Sequence, residues 1–319
     1  MNVLIASLNT AVERLLIVEK QLPGTVHRLL DDKTLAGGKG VNVARVLRKL
    51  NAEWPSPLLV GFLGGATGRL CEALLEQEGL AGSWASISGE TRICEVIVEQ
   101  NDPLKASVYN ARGPEISSAE LHDLHARLIA QLPTAAALIC TGSLPAGVSE
   151  SEYAEWIALA RQHHVLSLLD SHGAALLAAA QATPDIIKIN KDELYQVSEG
   201  RSAGLISEWQ ERGVSAVIIT DGVRPTLAQT PDGCFEVLSP DVKTLSSVGS
   251  GDAHCAGLIA SLLTVPQAGW ARHLAFAAAC GAANAASITA GLAPHLSLHA
   301  LAQQSTVRPL SRMQFGERL

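Results

Sequence analysis

Ser247-Val248-Gly249-Ser250-Gly251-Asp252-Ala253, close to the C-terminal end of the chain, sets two glycines around a serine and runs into Ala253 to Leu263, which reads as a helix. Glycines let the backbone turn tightly and approach a ligand. The unpaired N–H groups of a helix start and the positive end of its dipole converge there, so the place suits an anion. Asp252 stands at the same place. Its carboxylate either caps the helix or, where the rest of the chain supplies a hydroxyl to deprotonate and a phosphate to transfer, serves as a base.

A second glycine-rich segment opening onto a helix lies near the other end of the chain. In Ala36-Gly37-Gly38-Lys39-Gly40-Val41-Asn42-Val43-Ala44, the residues Val43, Leu47 and Leu50 have helical spacing. This is not a Walker A loop, because Lys39 lies between the glycines and no Ser or Thr follows it, and the dinucleotide pattern G-x-G-x-x-G fails at Val43. Alone it also reads as a tight turn with an incidental lysine. Together the two glycine loops suggest that two anions are gripped.

Between and around these loops, strands and helices alternate. Val3 to Leu8 and Arg14 to Val18 read as strands, and Gln21 to Thr34 as polar and irregular. Leu58 to Phe62 is a buried strand, from which Gly64-Gly65-Ala66-Thr67-Gly68 leads into a helix to about Glu78. Thr91 to Val98 has a period of two, with Arg92, Cys94, Val96 and Val98 on one face. A guanidinium on that apolar face needs a carboxylate or phosphate partner, from substrate or from a structural ion pair. After the turn Asn101-Asp102-Pro103, Lys105 to Asn110 returns as its antiparallel partner, and the pair reads as a lid. Strands then follow at Ala136 to Cys140, Val165 to Leu169, Ile186 to Ile189 and Ala216 to Thr220. Helices are read near Lys191 to Val197, Ile206 to Arg212 and Ala271 to Ile288, and capping boxes at Ser117 to Glu120 and Ser149 to Glu152. Ser305 to Leu319 carries no readable pattern.

The expected fold is α/β: one domain over residues 1–319 with a mainly parallel sheet, helices on both faces, and a small β lid from about 10–35 and 86–112. Asn9, Thr141-Gly142-Ser143, Asp170, Asn190 and Thr220-Asp221 each follow the C-terminal end of a strand, where such sheets bind ligands.

Composition narrows the partners. A net charge of −7 with no dense Lys or Arg block argues against nucleic acid. Met1 to Ser7 lacks a basic leader and no apolar run reaches membrane-spanning length, so a cytoplasmic location without membrane attachment is expected. The six cysteines are scattered through apolar runs with no C-x-x-C pair, as free thiols in a reducing compartment would be. None of the ten histidines shows a matching zinc-ligand spacing. His122, His125, His163 and His164 read as solvated, whereas His172 and His254 adjoin the ligand-facing blocks.

The combination resembles the ribokinase-like (PfkB) carbohydrate kinases over nearly the whole chain. The two glycine blocks carry the likeness, in the expected order and at the expected distance, and Gly142-Ser143-Leu144-Pro145, Asp170-Ser171-His172-Gly173 and Lys188-Ile189-Asn190-Lys191-Asp192-Glu193-Leu194 look like further blocks. The chain is most similar to the phosphosugar branch, which holds 1-phosphofructokinase, tagatose-6-phosphate kinase and the minor 6-phosphofructokinase. The resemblance implies MgATP-dependent phosphoryl transfer to a ketohexose phosphate, with Asp252 as base and Gly249, Ser250 and Gly251 stabilising charge. It implies Asn9, Glu13, Arg28, Gly37, Gly38, Lys39, Asn42, Arg92 and Ser143 around the sugar phosphate. Lys188, Asn190, Thr220, Gly222, Gly249, Gly251 and Asn284 fall around the nucleotide, and Asn190 and Glu193 near Mg²⁺, through water. The alternative for Asn190 and Glu193 is a helix cap. A homodimer through the lid is also expected.

Three departures stand out. Asn9-Thr10-Ala11-Val12-Glu13 puts a glutamate where the branch has an aspartate, Ile189 replaces a usual proline, and Asp221-Gly222-Val223-Arg224-Pro225 departs from the glycine-rich nucleotide loop. Competing readings are a kinase of an unphosphorylated sugar or nucleoside, a non-catalytic sensor on the same fold, and a dinucleotide-dependent oxidoreductase. A phosphate on the acceptor is favoured because a neutral sugar would leave Lys39 and Arg92 without a partner.

Overall fold

The computed structural model describes residues 2–50 and 56–319. The strands are β1 Asn2–Ser7, β2 Ala11–Val18, β3 Asp31–Gly37, β4 Pro57–Gly64, β5 Ala81–Ile87, β6 Arg92–Glu99, β7 Asp102–Asn110, β8 Ala135–Thr141, β9 Leu166–Asp170, β10 Ile186–Asn190, β11 Ala216–Asp221, β12 Arg224–Thr230, β13 Gly233–Leu238 and β14 Thr306–Leu310. The helices are α1 Lys39–Leu50, α2 Gly65–Gln77, α3 Ser118–Gln131, α4 Glu152–Gln162, α5 Gly173–Gln181, α6 Lys191–Val197, α7 Ser202–Arg212, α8 Ser250–Thr264, α9 Trp270–Ala285, α10 Leu298–Gln304 and α11 Arg312–Arg318. None is long and apolar enough to cross a membrane among the described residues.

Ten strands form one sheet in the order β14-β13-β12-β11-β10-β9-β8-β1-β4-β5. From β11 to β5 every neighbouring pair is parallel, and β12 to β14 extend the edge antiparallel. The central strands are apolar at successive positions because both faces are covered. In β1, Val3 and Ile5 belong to the core shared with α1, α8 and α9 on one face, while Leu4 and Ala6 belong to the core shared with α3, α4 and α7 on the other. Alternation of side chains across the pleat thus divides one short strand between two cores.

A second sheet, β3-β2-β6-β7, stands over the C-terminal ends of the first. Its β6 and β7 are antiparallel, with Val96 opposite Val108, while β2 and β6 run parallel. Leu15, Val96 and Val98 form its own small core.

Several local expectations change. Asp31 to Thr34 is strand, not irregular, because pairing with β2 supplies backbone bonds that its polar sequence does not advertise. Ser117 and Glu120 form their capping box, but Ser149 and Glu152 do not: α4 begins at Glu152 itself, and that carboxylate is taken by His125 and the Trp156 indole. The C-terminal stretch forms β14 and α11. The edge strands β12 and β13, and the helix α5, had no separate signal.

Candidate active site

The C-terminal ends of β1, β8, β9, β10 and β11 open into a cleft of about 590 Å³, roofed by β2, β6 and β7. Of the residues singled out from sequence, Asn9, Glu13, Gly38, Lys39, Asn42, Arg92, Ser143, Lys188, Asn190, Glu193, Thr220, Gly249, Gly251 and Asp252 line it. Strand ends deliver the residues of the main sheet, and the two glycine loops deliver the rest.

Asp252 lies in the first turn of α8 and is 5% exposed. Gly249, with φ of 81°, is the cap of that helix, and a Cβ there would meet the Ala290 methyl at 2.8 Å. Only glycine fits this left-handed, crowded position. The Ser250 amide donates to the Ser247 carbonyl and is therefore spent, whereas those of Gly249, Gly251 and Asp252 have no acceptor among the described residues. Three donors thus remain at the positive end of the helix, one of them not among those expected. The Asp252 side chain accepts one hydrogen bond among the described residues, from Asn42 Nδ2 at 2.9 Å. Burial raises the Asp252 carboxyl above its ordinary value, and the Lys39 ammonium opposes that rise.

Lys39 and Lys188 share one counter-ion. Asp170 Oδ2 lies 3.2 Å from Lys188 Nζ, and its Oδ1 lies 3.6 Å from Lys39 Nζ. Burial alone would raise the Asp170 carboxyl, but the two ammonium groups outweigh it and hold the group below the usual range. Asp170 in turn raises the Lys39 ammonium. Sequence reasoning placed Asp170 at a strand end without a role, although its position in a ligand-facing block was the available signal.

Arg92 is fixed by backbone. Nε and Nη2 donate to the Asn9 carbonyl at 3.0 and 2.6 Å, and Nη1 donates to that of Ala111 at 3.0 Å. The premise that Lys39 and Arg92 lack protein partners is therefore overturned: one has Asp170, the other two carbonyls. Arg92 keeps two further N–H groups, and it lines the cleft. Glu13 makes no side-chain hydrogen bond among the described residues, and burial raises its carboxyl.

Arg28 lies outside the cleft, on the exposed connection between β2 and β3. Gly37 ends β3 behind the loop, and Gly222 is an exposed turn residue with φ of 58°. Asn284 is wholly buried, donating to the Val248 carbonyl at 2.8 Å and Ser250 Oγ at 3.2 Å while accepting from the Gly291 amide at 2.7 Å. Its side chain braces the glycine loop. His254, set in the core side of α8, is pushed down to about 3 by burial and has no partner for either ring nitrogen among the described residues, while His172 lines the cleft. His125 is bonded to buried Glu152, not solvated.

Asn190 and Glu193 form a capping box: Asn190 Oδ1 accepts from the Glu193 amide at 2.8 Å, and Glu193 Oε2 accepts from the Asn190 amide at 3.2 Å. The cap and a metal role are compatible. Hard oxygens suit Mg²⁺, and the second Glu193 oxygen with the spare lone pairs fits an ion that keeps most of its waters.

Residues 1–295 match the family described as pfkB family carbohydrate kinase. Tagatose-6-phosphate kinase of Staphylococcus epidermidis is 28% identical over 82% of this chain and 85% of its own. 1-Phosphofructokinase of Xanthomonas campestris pv. campestris is 32% identical over 81% and 83%. Among solved structures, phosphofructokinase-2 of Escherichia coli with potassium superposes with a TM-score of 0.83 at 23% identity, covering 95% of this chain and 98% of that one. Ribokinase of Thermotoga maritima gives 0.70 at 16% identity, covering 99% of each.

Proposed function

Because the chain belongs to the pfkB family of carbohydrate kinases, we propose that it transfers the γ-phosphoryl group of ATP to a hydroxyl of a ketohexose phosphate of the fructose 1-phosphate, tagatose 6-phosphate or fructose 6-phosphate type. The observation that carries the reading is Asp252 beside three free amides at the start of α8, in a cleft that Lys39, Lys188 and Arg92 also border. The names of the two curated relatives support the substrate class.

Asp252 accepts the proton of the acceptor hydroxyl as its oxygen bonds to the γ-phosphorus and the bond to the leaving ADP oxygen breaks. A base so placed is worth roughly 10²–10⁴ in rate. The amides of Gly249, Gly251 and Asp252 meet the charge on the transferring group, where a well-aimed donor contributes roughly 3–4 kcal/mol. Lys188 and Thr220 border the nucleotide side. Asn190 and Glu193 would hold Mg²⁺ through its waters, and the ion would supply neutralising charge beside the nucleotide phosphates. Asn9, Glu13 and Ser143 face the sugar hydroxyls, Asn9 Nδ2 donating to Ser143 Oγ at 2.9 Å.

The reading takes residues 1–319 as one kinase domain whose lid is the β3-β2-β6-β7 sheet. It includes a homodimer through that sheet, supported by exposed Leu22, Val26, Leu30 and Tyr109, with Val26 96% exposed. Arg28 lies on the same exposed connection as Leu22 and Val26, outside the cleft. Six buried free cysteines support a reducing, cytoplasmic setting.

The pairing of Lys39 with Asp170, and of Arg92 with two carbonyls, favours the second reading, a kinase of a free sugar. A coupled ADP assay with ketohexose phosphates, their free sugars and nucleosides separates the two. Turnover with the phosphates alone supports the first reading, and equal kcat/KM for free sugar overturns it.

A further inference from the structure

Arg45 lies one turn beyond Asn42 on α1 and is buried. Its guanidinium is committed on every side. Nε and Nη2 grip the Glu78 carboxylate at 2.5 and 2.7 Å. Nη2 also donates to the Ala36 carbonyl at 2.7 Å. Nη1 donates to Asn42 Oδ1 at 3.0 Å and to the Ala290 carbonyl at 3.4 Å. Ala36 immediately precedes Gly37 and Gly38, and Ala290 is the residue that a Cβ on Gly249 would strike. One side chain therefore touches the supports of both glycine loops.

The bond to Asn42 carries a constraint. A guanidinium only donates, so the Asn42 atom that meets it has to be the carbonyl oxygen. The NH₂ is thereby turned towards Asp252 and donates to its Oδ2 at 2.9 Å. With the amide reversed, its oxygen would face a buried carboxylate and its NH₂ a guanidinium, and both contacts would repel. Glu78, outside the cleft, fixes the guanidinium in the plane that this arrangement needs.

We propose that Arg45, held by Glu78, is a positioning residue that sets the orientation of the Asn42 amide and through it the aim of the Asp252 carboxylate. The proposal rests on the reading of Asp252 as the base. Arg45 touches no reacting atom. A lysine in its place keeps the charge but lacks the planar fork, so it cannot hold Glu78, the Ala36 carbonyl and Asn42 together.

The test compares Arg45→Lys, the paired variant Arg45→Met with Glu78→Met, Asp252→Asn, and Arg45→Lys combined with Asp252→Asn. Exchanging a buried ion pair for apolar side chains is often neutral for folding, and Arg45→Lys reads the same quantities should the paired variant not fold. Both Arg45 changes are expected to lower kcat by about tenfold to a hundredfold, as a small misplacement of a reacting group does, with KM within about threefold. Without its donor Asp252 holds its proton more tightly, so the acid limb of kcat moves to higher pH. The other charges facing Asp252 remain: Lys39 on α1, Lys188 on β10, Asp170 on β9 and Glu13 on β2. On the Asp252→Asn background Arg45→Lys should cost nothing further, since residues acting as one unit are not additive. A merely structural arginine would multiply its effect there, and that result overturns the proposal. So do folded Arg45 variants with the parental kcat and acid limb. If those variants match the parent while Asp252→Asn loses its turnover, only the positioning role falls. If Asp252→Asn keeps parental turnover, the base reading falls and the positioning role with it.

Discussion

Lys188 Nζ and Asp170 Oδ2 lie 3.2 Å apart, both side chains almost wholly buried, on the neighbouring parallel strands β10 and β9. Breaking such a pair from one side strands a charge, which costs about 3–5 kcal/mol. Asp170→Ala should lose that much in chemical denaturation, and Asp170→Asn less. The sign of the pH dependence follows from the lowered Asp170 carboxyl. Its contribution is fully present above the unfolded value of about 4 and is lost as pH falls through the folded one. The Asp170→Asn protein should therefore show a flatter stability profile in that acid range, measured by thermal melts from neutral pH downwards.

Asp252→Asn should leave calorimetric binding of nucleotide and sugar nearly intact and lower kcat by roughly 10²–10⁴. Because burial raises the Asp252 carboxyl, the acid limb of the parental kcat should sit above the ordinary aspartate range, activity falling as pH drops through it. A limb at or below that range, or turnover within a few-fold of the parent in the variant, removes Asp252 from the chemistry.

Arg92→Ala should shrink the preference for sugar phosphate over free sugar by about one to two powers of ten, mainly through KM, the worth of one charge-assisted hydrogen bond. The variant also releases the Asn9 and Ala111 carbonyls, so Asn9 loses its anchor beside Ser143. Steady-state kinetics with matched sugars decides it. An undiminished preference would leave Arg92 with its backbone role alone.

Closure of the β3-β2-β6-β7 sheet over bound sugar should exclude water and limit wasteful ATP hydrolysis. Amide exchange across 91–110 should slow when sugar phosphate is added. The joint that precedes β6 is already tied down: the Glu90 carboxylate accepts from the Ala66 and Thr67 amides at 3.1 and 3.0 Å. The Ala66 and Thr67 amides should therefore stay protected in both states, and unchanged exchange across 91–110 on adding ligand would argue against a moving lid.

The sequence by itself determined the features that repeat over short distances. Apolar runs such as those of β1 and β8 announce strands buried on both faces, and the period of two in β6 announces a sheet with one covered side. The two glycine loops were readable because a left-handed residue at a helix start, such as Gly249, needs a particular residue type. Tertiary structure alone decided the partners. Asn42 meets Asp252 across 210 residues, Lys39 meets an aspartate on β9, and Arg92 meets carbonyl oxygens, which no residue type announces. The Ser250 amide was spent on Ser247 by the shape of the turn, and Asn284 was drawn beneath that turn as a brace. Asp31 to Thr34 became strand through backbone pairing with β2, which polar sequence permits but does not signal. Local pattern specifies which backbone conformations are cheap; which charges are neutralised, and by what, depends on chain segments that meet only after the sheet has assembled.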